Sequence, residues 1–226
     1  MKQYTLKEIA LWQTEDINNE SKKTLFALQK GLVWEPHQIE KIWDSIFRGY
    51  PVGAITISLN EENGQRILLD GHQRCISIAL GHYNPFDEGK QNSISSLKDY
   101  NISVWIDLNP DQLNDERLYV FRCSNQNIPL DANFPIPLAF ILKLVENDSL
   151  SFKDFKLKLF SKLENLKIQN KLTDISNVNY NEVDDEKWMK IYNGLINYQH
   201  LLIPEIVVNS KLFNENNMDG IENLFL

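Results

Sequence analysis

The feature that most constrains the fold is one short run that is typical of a strand, a tight turn and a helix. Arg66 to Leu69 is aliphatic, as in a buried strand, and Asp70-Gly71 follows it directly. His72 to Gly81 then has helical character and ends on glycine. The first N–H groups of such a helix lack internal partners, and the helix dipole places partial positive charge beside them. The run therefore predicts a backbone site for an anion such as phosphate.

The side chains of this turn suit phosphate chemistry. Arg74 carries a planar fork of donors that matches phosphate oxygens, and His72 and Gln73 can donate further hydrogen bonds. Gly71 permits close approach of the backbone to a ligand. Three roles stay open for Asp70, which would cap the helix, orient Arg74 or hold a divalent ion against a triphosphate. Because Asp-Gly turns near an arginine are common, these residues alone leave a functional and a purely structural role equally open.

Hydrophobic periodicity changes near residue 130. Before it, short runs rich in aliphatic and aromatic residues predict the strands of a mixed sheet. A helix with one apolar stripe is predicted from Pro36, which suits a first turn, up to Gly49-Tyr50-Pro51. The predicted strands are 25–28, 54–59, 66–69, 102–108 and 119–122.

After residue 130 the pattern is mainly helical, and we expect these helices to cap the sheet. A polar surface loop is predicted at 170–184. The run 203–208 is strand-like, and Pro204 favours an edge strand or the first position of a strand. The predicted helices are 137–146, 151–166 and 185–201.

The pattern as a whole predicts an α+β fold in two parts. Residues 1–130 form a mixed sheet with flanking helices, and residues 131–226 form a C-terminal helical extension. The final run, 221–226, is typical of the apolar start of a helix, so we expect the extension to be truncated at its C-terminus.

The charge balance limits the partners of the chain. It has 23 Lys and Arg against 31 Asp and Glu, a formal net charge of −8. Because basic residues supply most non-specific affinity for nucleic acid, any such contact must be local. Cys75 and Cys123 lack the spacing of a disulfide framework or a zinc site and fit a reducing cytoplasm. No stretch is both apolar and long enough to predict a membrane span.

Two separated segments resemble one known family. The first comprises Leu28-Gln29-Lys30-Gly31-Leu32-Val33-Trp34 and the turn Arg48-Gly49-Tyr50-Pro51-Val52-Gly53, and the second is Leu69-Asp70-Gly71-His72-Gln73-Arg74. In this order they resemble the N-terminal domain of GmrSD-type restriction systems, within the ParB/sulfiredoxin-like superfamily. Members typically carry Gln-Arg-x-x-Val-Trp, Arg-Gly-x-Pro-x-Gly and Asp-Gly-Gln-Gln-Arg. The resemblance is strong over residues 24–81 and fades through the later helices.

This resemblance implies a ParB/sulfiredoxin-like fold that binds, and in several members hydrolyses, nucleoside triphosphates. Hydrolysis would require Mg²⁺ and would give catalytic roles to Asp70 and Arg74. Lys30 and His72 stand where the family usually carries arginine and glutamine. The residues expected to bind the nucleotide are Gln29, Lys30, Trp34, Gly71, His72, Gln73 and Arg74.

We therefore expect a cytoplasmic nucleotide-sensing domain of a modification-dependent anti-phage restriction system. Its expected partners are a nucleotide, modified DNA, and a separate nuclease chain or a missing C-terminal domain. No P-loop, dinucleotide fingerprint or nuclease cluster occurs in the sequence, so we expect no independent nuclease activity. Two alternatives stay open: a catalytically silent module that binds DNA or a protein partner through the same turn, and an inactive relative that keeps only the fold.

Other residues with reactive side chains are expected in structural roles. Sulfiredoxin-like chemistry needs a cysteine directly after Gly71, where this chain has His72, so we expect Cys75 to lie in the core. A metal site of His72, Cys75 and His82 would have only three ligands and is the weaker alternative, so no protein metal site is predicted. The tryptophans are expected in the core, except Trp34, which lies in a matched loop.

Overall fold

The predicted α+β fold is confirmed by a computed structural model of the chain. The structure describes residues 2–12, 31–59, 66–86, 102–110, 118–125, 128–145, 150–168 and 183–209. The predicted strand 25–28, the predicted loop from 170 to 182 and the C-terminal run 221–226 lie outside these residues. None of the helices in the described ranges is long and apolar enough to cross a membrane.

The described helices and strands follow the predicted order closely. The helices are α1 (Leu6–Leu11), α2 (Pro36–Phe47), α3 (His72–Gly81), α4 (Leu138–Val145), α5 (Phe152–Ile168) and α6 (Asp185–His200). The strands are β1 (Gln3–Thr5), β2 (Ile55–Leu59), β3 (Arg66–Asp70), β4 (Ser103–Asp107), β5 (Val120–Ser124), β6 (Pro135–Pro137) and β7 (Leu202–Asn209). The short elements β1, α1 and β6 were not predicted, since each is too short to show a hydrophobic period.

The strands form two sheets. The first has the order β1-β7-β2-β3, with β7 antiparallel to β1 and parallel to β2, and with β2 antiparallel to β3. This sheet is mixed, as predicted, but the predicted strands 102–108 and 119–122 lie in a separate sheet, because strand pairing between distant segments leaves no local signal. The second sheet has the antiparallel order β5-β4-β6. Its outer strand β5 lies along α2, where Glu40 Oε1 accepts a hydrogen bond from Cys123 N at 3.1 Å.

The prediction that Pro204 favours an edge strand or a first strand position is wrong. β7 lies inside the first sheet, and Pro204 is its third residue. Glu205 N faces β1 and donates to Lys2 O, the residue before β1, at 2.9 Å. Because successive backbone nitrogens of a strand point to opposite sides, the nitrogen of Pro204 faces the side of β2. The pairing with β2 begins only at Glu205. A central proline is tolerated because no strand partner stands opposite its missing N–H.

The C-terminal part of the chain contacts the N-terminal part closely. It contributes β7 to the first sheet, and α6 packs on α2 where a Cβ at Gly194 would lie 2.2 Å from Phe47 Cδ1. Asn197 Nδ2 also donates to Phe47 O at 2.7 Å. These contacts join the two predicted parts, and the boundary at residue 130 stays a prediction.

Helix α2 ends in a way that fixes the turn after it. Gly49 has φ 74°, and its N–H donates to Ile46 O at 2.9 Å. Tyr50 N donates to Ser45 O at the same distance. This pair of bonds is the Schellman arrangement, which reverses the chain after a helix. The segment from residue 48 to residue 53 is thereby directed from α2 towards β2.

The core holds α3 against α2. The indole of Trp43 is fully buried, and its Nε1 donates to Ser77 O at 3.0 Å. A Cβ at Gly81 would lie 2.0 Å from Trp43 Cζ2, so glycine permits this close contact. Cys75 is buried in the same core, as predicted. Four tryptophans are buried, as expected: Trp12, Trp43, Trp105 and Trp188.

His82 is expected to make the protein less stable in mild acid. It follows α3, with Nε2 3.2 Å from Tyr198 Oη and its ring 6.4 Å from the Trp43 ring. Burial, together with the charges of Lys7 and Lys143, lowers the pKa of His82 to about 3. In the unfolded chain its pKa is near 6.5, so below that pH the unfolded state binds a proton that the folded state does not.

Stability should therefore fall as the pH drops from 7 to 5. Because residue His82 as a whole is only partly buried, we expect a loss of about 1.5 kcal/mol, somewhat less than for a fully buried residue. Urea denaturation at both pH values measures it, with His82→Gln compared to the exposed His37→Gln. His82→Gln should lose this pH dependence and His37→Gln should keep it. Equal pH dependence in the two variants would contradict the assignment.

Candidate functional site

The predicted strand, turn and helix meet at Gly71. Strand β3 ends at Asp70, Gly71 has φ 101°, and α3 begins at His72. The first hydrogen bond of the helix runs from Cys75 N to Gly71 O at 2.9 Å. A Cβ at Gly71 would lie 2.9 Å from Ile55 Cγ2, so both the backbone angle and the contact with β2 require glycine.

Asp70 orients Arg74 and does not cap the helix. The N-cap residue of α3 is Gly71, which offers no side chain for capping. Asp70 Oδ2 instead lies 2.8 Å from Arg74 Nη2, one helical turn away. The Asp70 side chain is half exposed, whereas the Arg74 side chain is only 20% exposed. Of the three roles open to Asp70, the structure shows the orientation of Arg74.

Arg74 also binds the turn that follows α2. Its Nη1 donates to Val52 O at 3.0 Å. The next residue, Gly53, has φ 88°, and a Cβ there would lie 2.2 Å from Arg74 Nη1. Glycine at residue 53 is therefore what lets the guanidinium lie against this turn. Since a guanidinium has five N–H groups, these two bonds leave donors for a ligand.

Gln73 binds a third segment, the loop before α2. Its Oε1 accepts hydrogen bonds from Val33 N at 2.8 Å and Trp34 N at 3.1 Å. Its Nε2 donates to Gly31 O at 3.0 Å. The side-chain amide thus holds the backbone of residues 31–34 beside the first turn of α3.

His72 completes the first turn of α3. Its side chain is partly exposed. Burial lowers the pKa of His72, and the nearby charge of Asp70 partly offsets this effect. The imidazole is therefore neutral at pH 7 and can donate one hydrogen bond and accept another.

The structure brings most of the predicted site residues together. Trp34 is partly buried at the margin of the core, on the loop that Gln73 holds. Gln29 and Lys30 lie outside the described residues. Sequence reasoning missed Val52 O as a partner of Arg74. The signal for it was Gly53, because a glycine after a proline turn marks a place of close approach.

The weaker hypothesis, a metal site of His72, Cys75 and His82, is wrong. In the described part of the chain, no three or more His, Cys, Asp and Glu side chains lie together as a metal site would need. Cys75 is fully buried, and this burial raises the pKa of its thiol to about 12, so it is not a thiolate at neutral pH. His82 instead contacts Tyr198.

One protein family matches almost the whole chain. Its sequence model, described as the N-terminal domain of the GmrSD restriction endonuclease, matches residues 14–225. This match confirms the resemblance seen in the two motif segments. No curated protein matches the chain significantly.

Proposed function

The chain belongs to the GmrSD restriction endonuclease N-terminal domain family and so is a component of a restriction system, in which we propose that it binds a nucleoside triphosphate at Asp70–Arg74. The observation that carries this proposal is the guanidinium of Arg74. It is held by Asp70 Oδ2 and Val52 O at the start of α3 and keeps donors for phosphate oxygens. A fixed guanidinium loses little conformational freedom when a ligand binds.

The backbone adds to this binding site. The first hydrogen bond within α3 is donated by Cys75 N. The N–H groups of His72, Gln73 and Arg74 come before it in the chain, so the helix itself does not satisfy them. The helix dipole adds partial positive charge at this end. Neutral His72 can add one hydrogen bond to a phosphate oxygen without a charge of its own. These donors fit a phosphate chain that approaches along the axis of α3.

Asp70 fits a site for Mg²⁺ that is bound together with the nucleotide. Within the described part of the chain, Arg74 engages its Oδ2, and the Asp70 side chain is half exposed, so Oδ1 can face a cation. Mg²⁺ is commonly held by one or two carboxylates, substrate phosphates and water. When bound, the ion would neutralise phosphate charge. In hydrolysis Arg74 would stabilise the charge that develops on the phosphoryl oxygens.

The remaining partners belong to the same proposal. We propose that nucleotide binding in the cytoplasm is coupled to recognition of modified DNA and to a nuclease on a separate chain or in a further domain. The net charge of −8 supports a nucleotide over a long duplex as the direct ligand of the turn, because few basic residues are available to neutralise a DNA backbone.

Calorimetric titration tests the proposal. Wild-type protein is titrated with ATP, GTP, CTP and UTP in the presence of Mg²⁺, and Arg74→Ala is titrated in parallel. Arg122→Ala serves as a control, since Arg122 also pairs with a carboxylate, that of Asp131, and lies on β5. We expect binding of at least one nucleotide by wild type and by Arg122→Ala, and strongly reduced binding by Arg74→Ala. Wild-type protein that binds none would contradict the proposal, and salt-dependent DNA binding alone would favour the silent DNA-binding module.

A further inference from the structure

The side-chain amide of Gln73 binds the loop at residues 31–34. Its oxygen accepts from two consecutive backbone N–H groups, those of Val33 and Trp34. Its nitrogen donates to Gly31 O. Both ends of the amide are therefore engaged with one loop. A group engaged in this way is poorly placed to bind phosphate itself.

The loop that Gln73 holds lies beside the proposed nucleotide site. Gln73 is the second residue of α3, and the loop backbone lies within the length of its side chain. In sequence the loop is distant, since Val33 and Gln73 are separated by 40 residues. Its side chains differ in burial: Val33 is 67% exposed, whereas Leu32 and Trp34 are partly buried against the core. Among the described residues, the three hydrogen bonds with the Gln73 side chain are the polar contacts between this loop and α3.

We infer that Gln73 is a positioning residue: it fixes residues 31–34 as one wall of the nucleotide site instead of contacting phosphate. This inference rests on the proposed function and names the means by which the site is kept ready for its ligand. Without the amide, the loop samples many conformations, and a ligand that needs the wall must first order it. Arg74 holds the turn at Val52 through its hydrogen bond to Val52 O. The adjacent residues Gln73 and Arg74 of α3 therefore each hold one segment beside the proposed nucleotide site.

Two variants separate this role from a phosphate contact. Gln73→Ala removes all three hydrogen bonds to the loop. Gln73→Glu supplies a carboxylate that can still accept from Val33 N and Trp34 N, but it loses the donor to Gly31 O and places negative charge beside the phosphates. Gln199→Ala is the matched control. The side-chain amide of Gln199 also donates to a backbone oxygen, Val145 O, but this bond joins α6 to α4.

Hydrogen exchange of the Val33 and Trp34 amides is measured without nucleotide, and nucleotide affinity is measured by calorimetry. In Gln73→Ala we expect exchange at both amides to quicken about tenfold and the Kd to rise about tenfold. Gln73→Glu should exchange more slowly than Gln73→Ala at both amides, because two of the three hydrogen bonds can persist, and should still bind nucleotide weakly. Gln199→Ala should change neither the exchange of these two amides nor the Kd.

The outcomes distinguish the inference from the proposed function. Unchanged exchange in Gln73→Ala overturns the inference. Faster exchange with an unchanged Kd also overturns it, while the proposed function stands. Wild-type protein that binds no nucleotide overturns the proposed function itself, whatever the exchange rates are. Fast exchange and weak binding in Gln73→Ala, with slower exchange in Gln73→Glu, support the positioning role.

Discussion

Replacing Asp44 with alanine is expected to lower the free energy of unfolding by about 4 kcal/mol, since a buried carboxylate that accepts several hydrogen bonds is lost. Asp44 lies on α2, and its side chain is 10% exposed. Its Oδ1 accepts from Leu118 N at 3.1 Å and Tyr119 N at 2.8 Å. Its Oδ2 pairs with Arg48 Nε at 2.9 Å. Alanine would remove the acceptor of two inward-facing backbone donors and this ion pair together.

Urea denaturation of Asp44→Ala beside Asp131→Ala measures this loss. Asp131 also forms a close ion pair, 2.8 Å from Arg122 Nε, but its side chain is 71% exposed. Water replaces such an exposed partner readily, so we expect Asp131→Ala to cost less than about 1 kcal/mol. Similar losses of unfolding free energy in the two variants would show that the hydrogen bonds of Asp44 to the residues just before β5 do not stabilise the fold more than an exposed ion pair does.

Replacing Gly53 with alanine is expected to weaken nucleotide binding on the order of a hundredfold, as the loss of a charged hydrogen-bond donor would. The added Cβ would lie 2.2 Å from Arg74 Nη1, so the guanidinium must leave its place. It then loses the hydrogen bond to Val52 O and the orientation that this bond supplies. Because the displaced group is the end of a flexible side chain, the fold should survive.

Gly49→Ala is the matched control for Gly53→Ala. Gly49 lies in the same turn and has a similar positive φ, 74° against 88°, so both variants carry similar backbone strain. At Gly49, however, the new Cβ would meet only the amide of Asn197, at 3.2 Å. Calorimetry should find nucleotide binding retained in Gly49→Ala and nearly lost in Gly53→Ala. Equal affinity in the two variants would mean that the place of Arg74 does not matter for binding.

The parts of the fold predicted from sequence are those with local signals. The apolar stripe of α2 and the proline at its start indicated that helix, and the aliphatic run before Asp70-Gly71 indicated β3. The place of β7 was not predictable in this way. Its neighbours, β1 and β2, are set by pairing between distant segments. Pro204 suggested an edge strand because it lacks an N–H, and the sequence does not show which side of the strand faces a partner.

The candidate site shows the same division. The type and spacing of Asp70, Gly71 and Arg74 indicated a strand, a turn and a helix, which the structure has, and anion binding at this turn stays a prediction. The partners of Arg74 and Gln73 could not be read from the pattern, because Val52 and Arg74 are 22 residues apart and Val33 and Gln73 are 40 apart. These long-range contacts join the two motif segments: one short stretch of α3 holds both the loop at 31–34 and the turn at 48–53.

Backbone amide chemical shifts report whether a nucleoside triphosphate binds at the turn formed by Asp70–Arg74. Isotope-labelled protein is titrated with the nucleotide that binds, in Mg²⁺, and the shift of each backbone amide is followed. The largest changes are expected at residues 71–74, with further changes in the loop at 31–34 and at Gly53. Saturable changes that leave residues 71–74 unmoved would contradict binding at this turn.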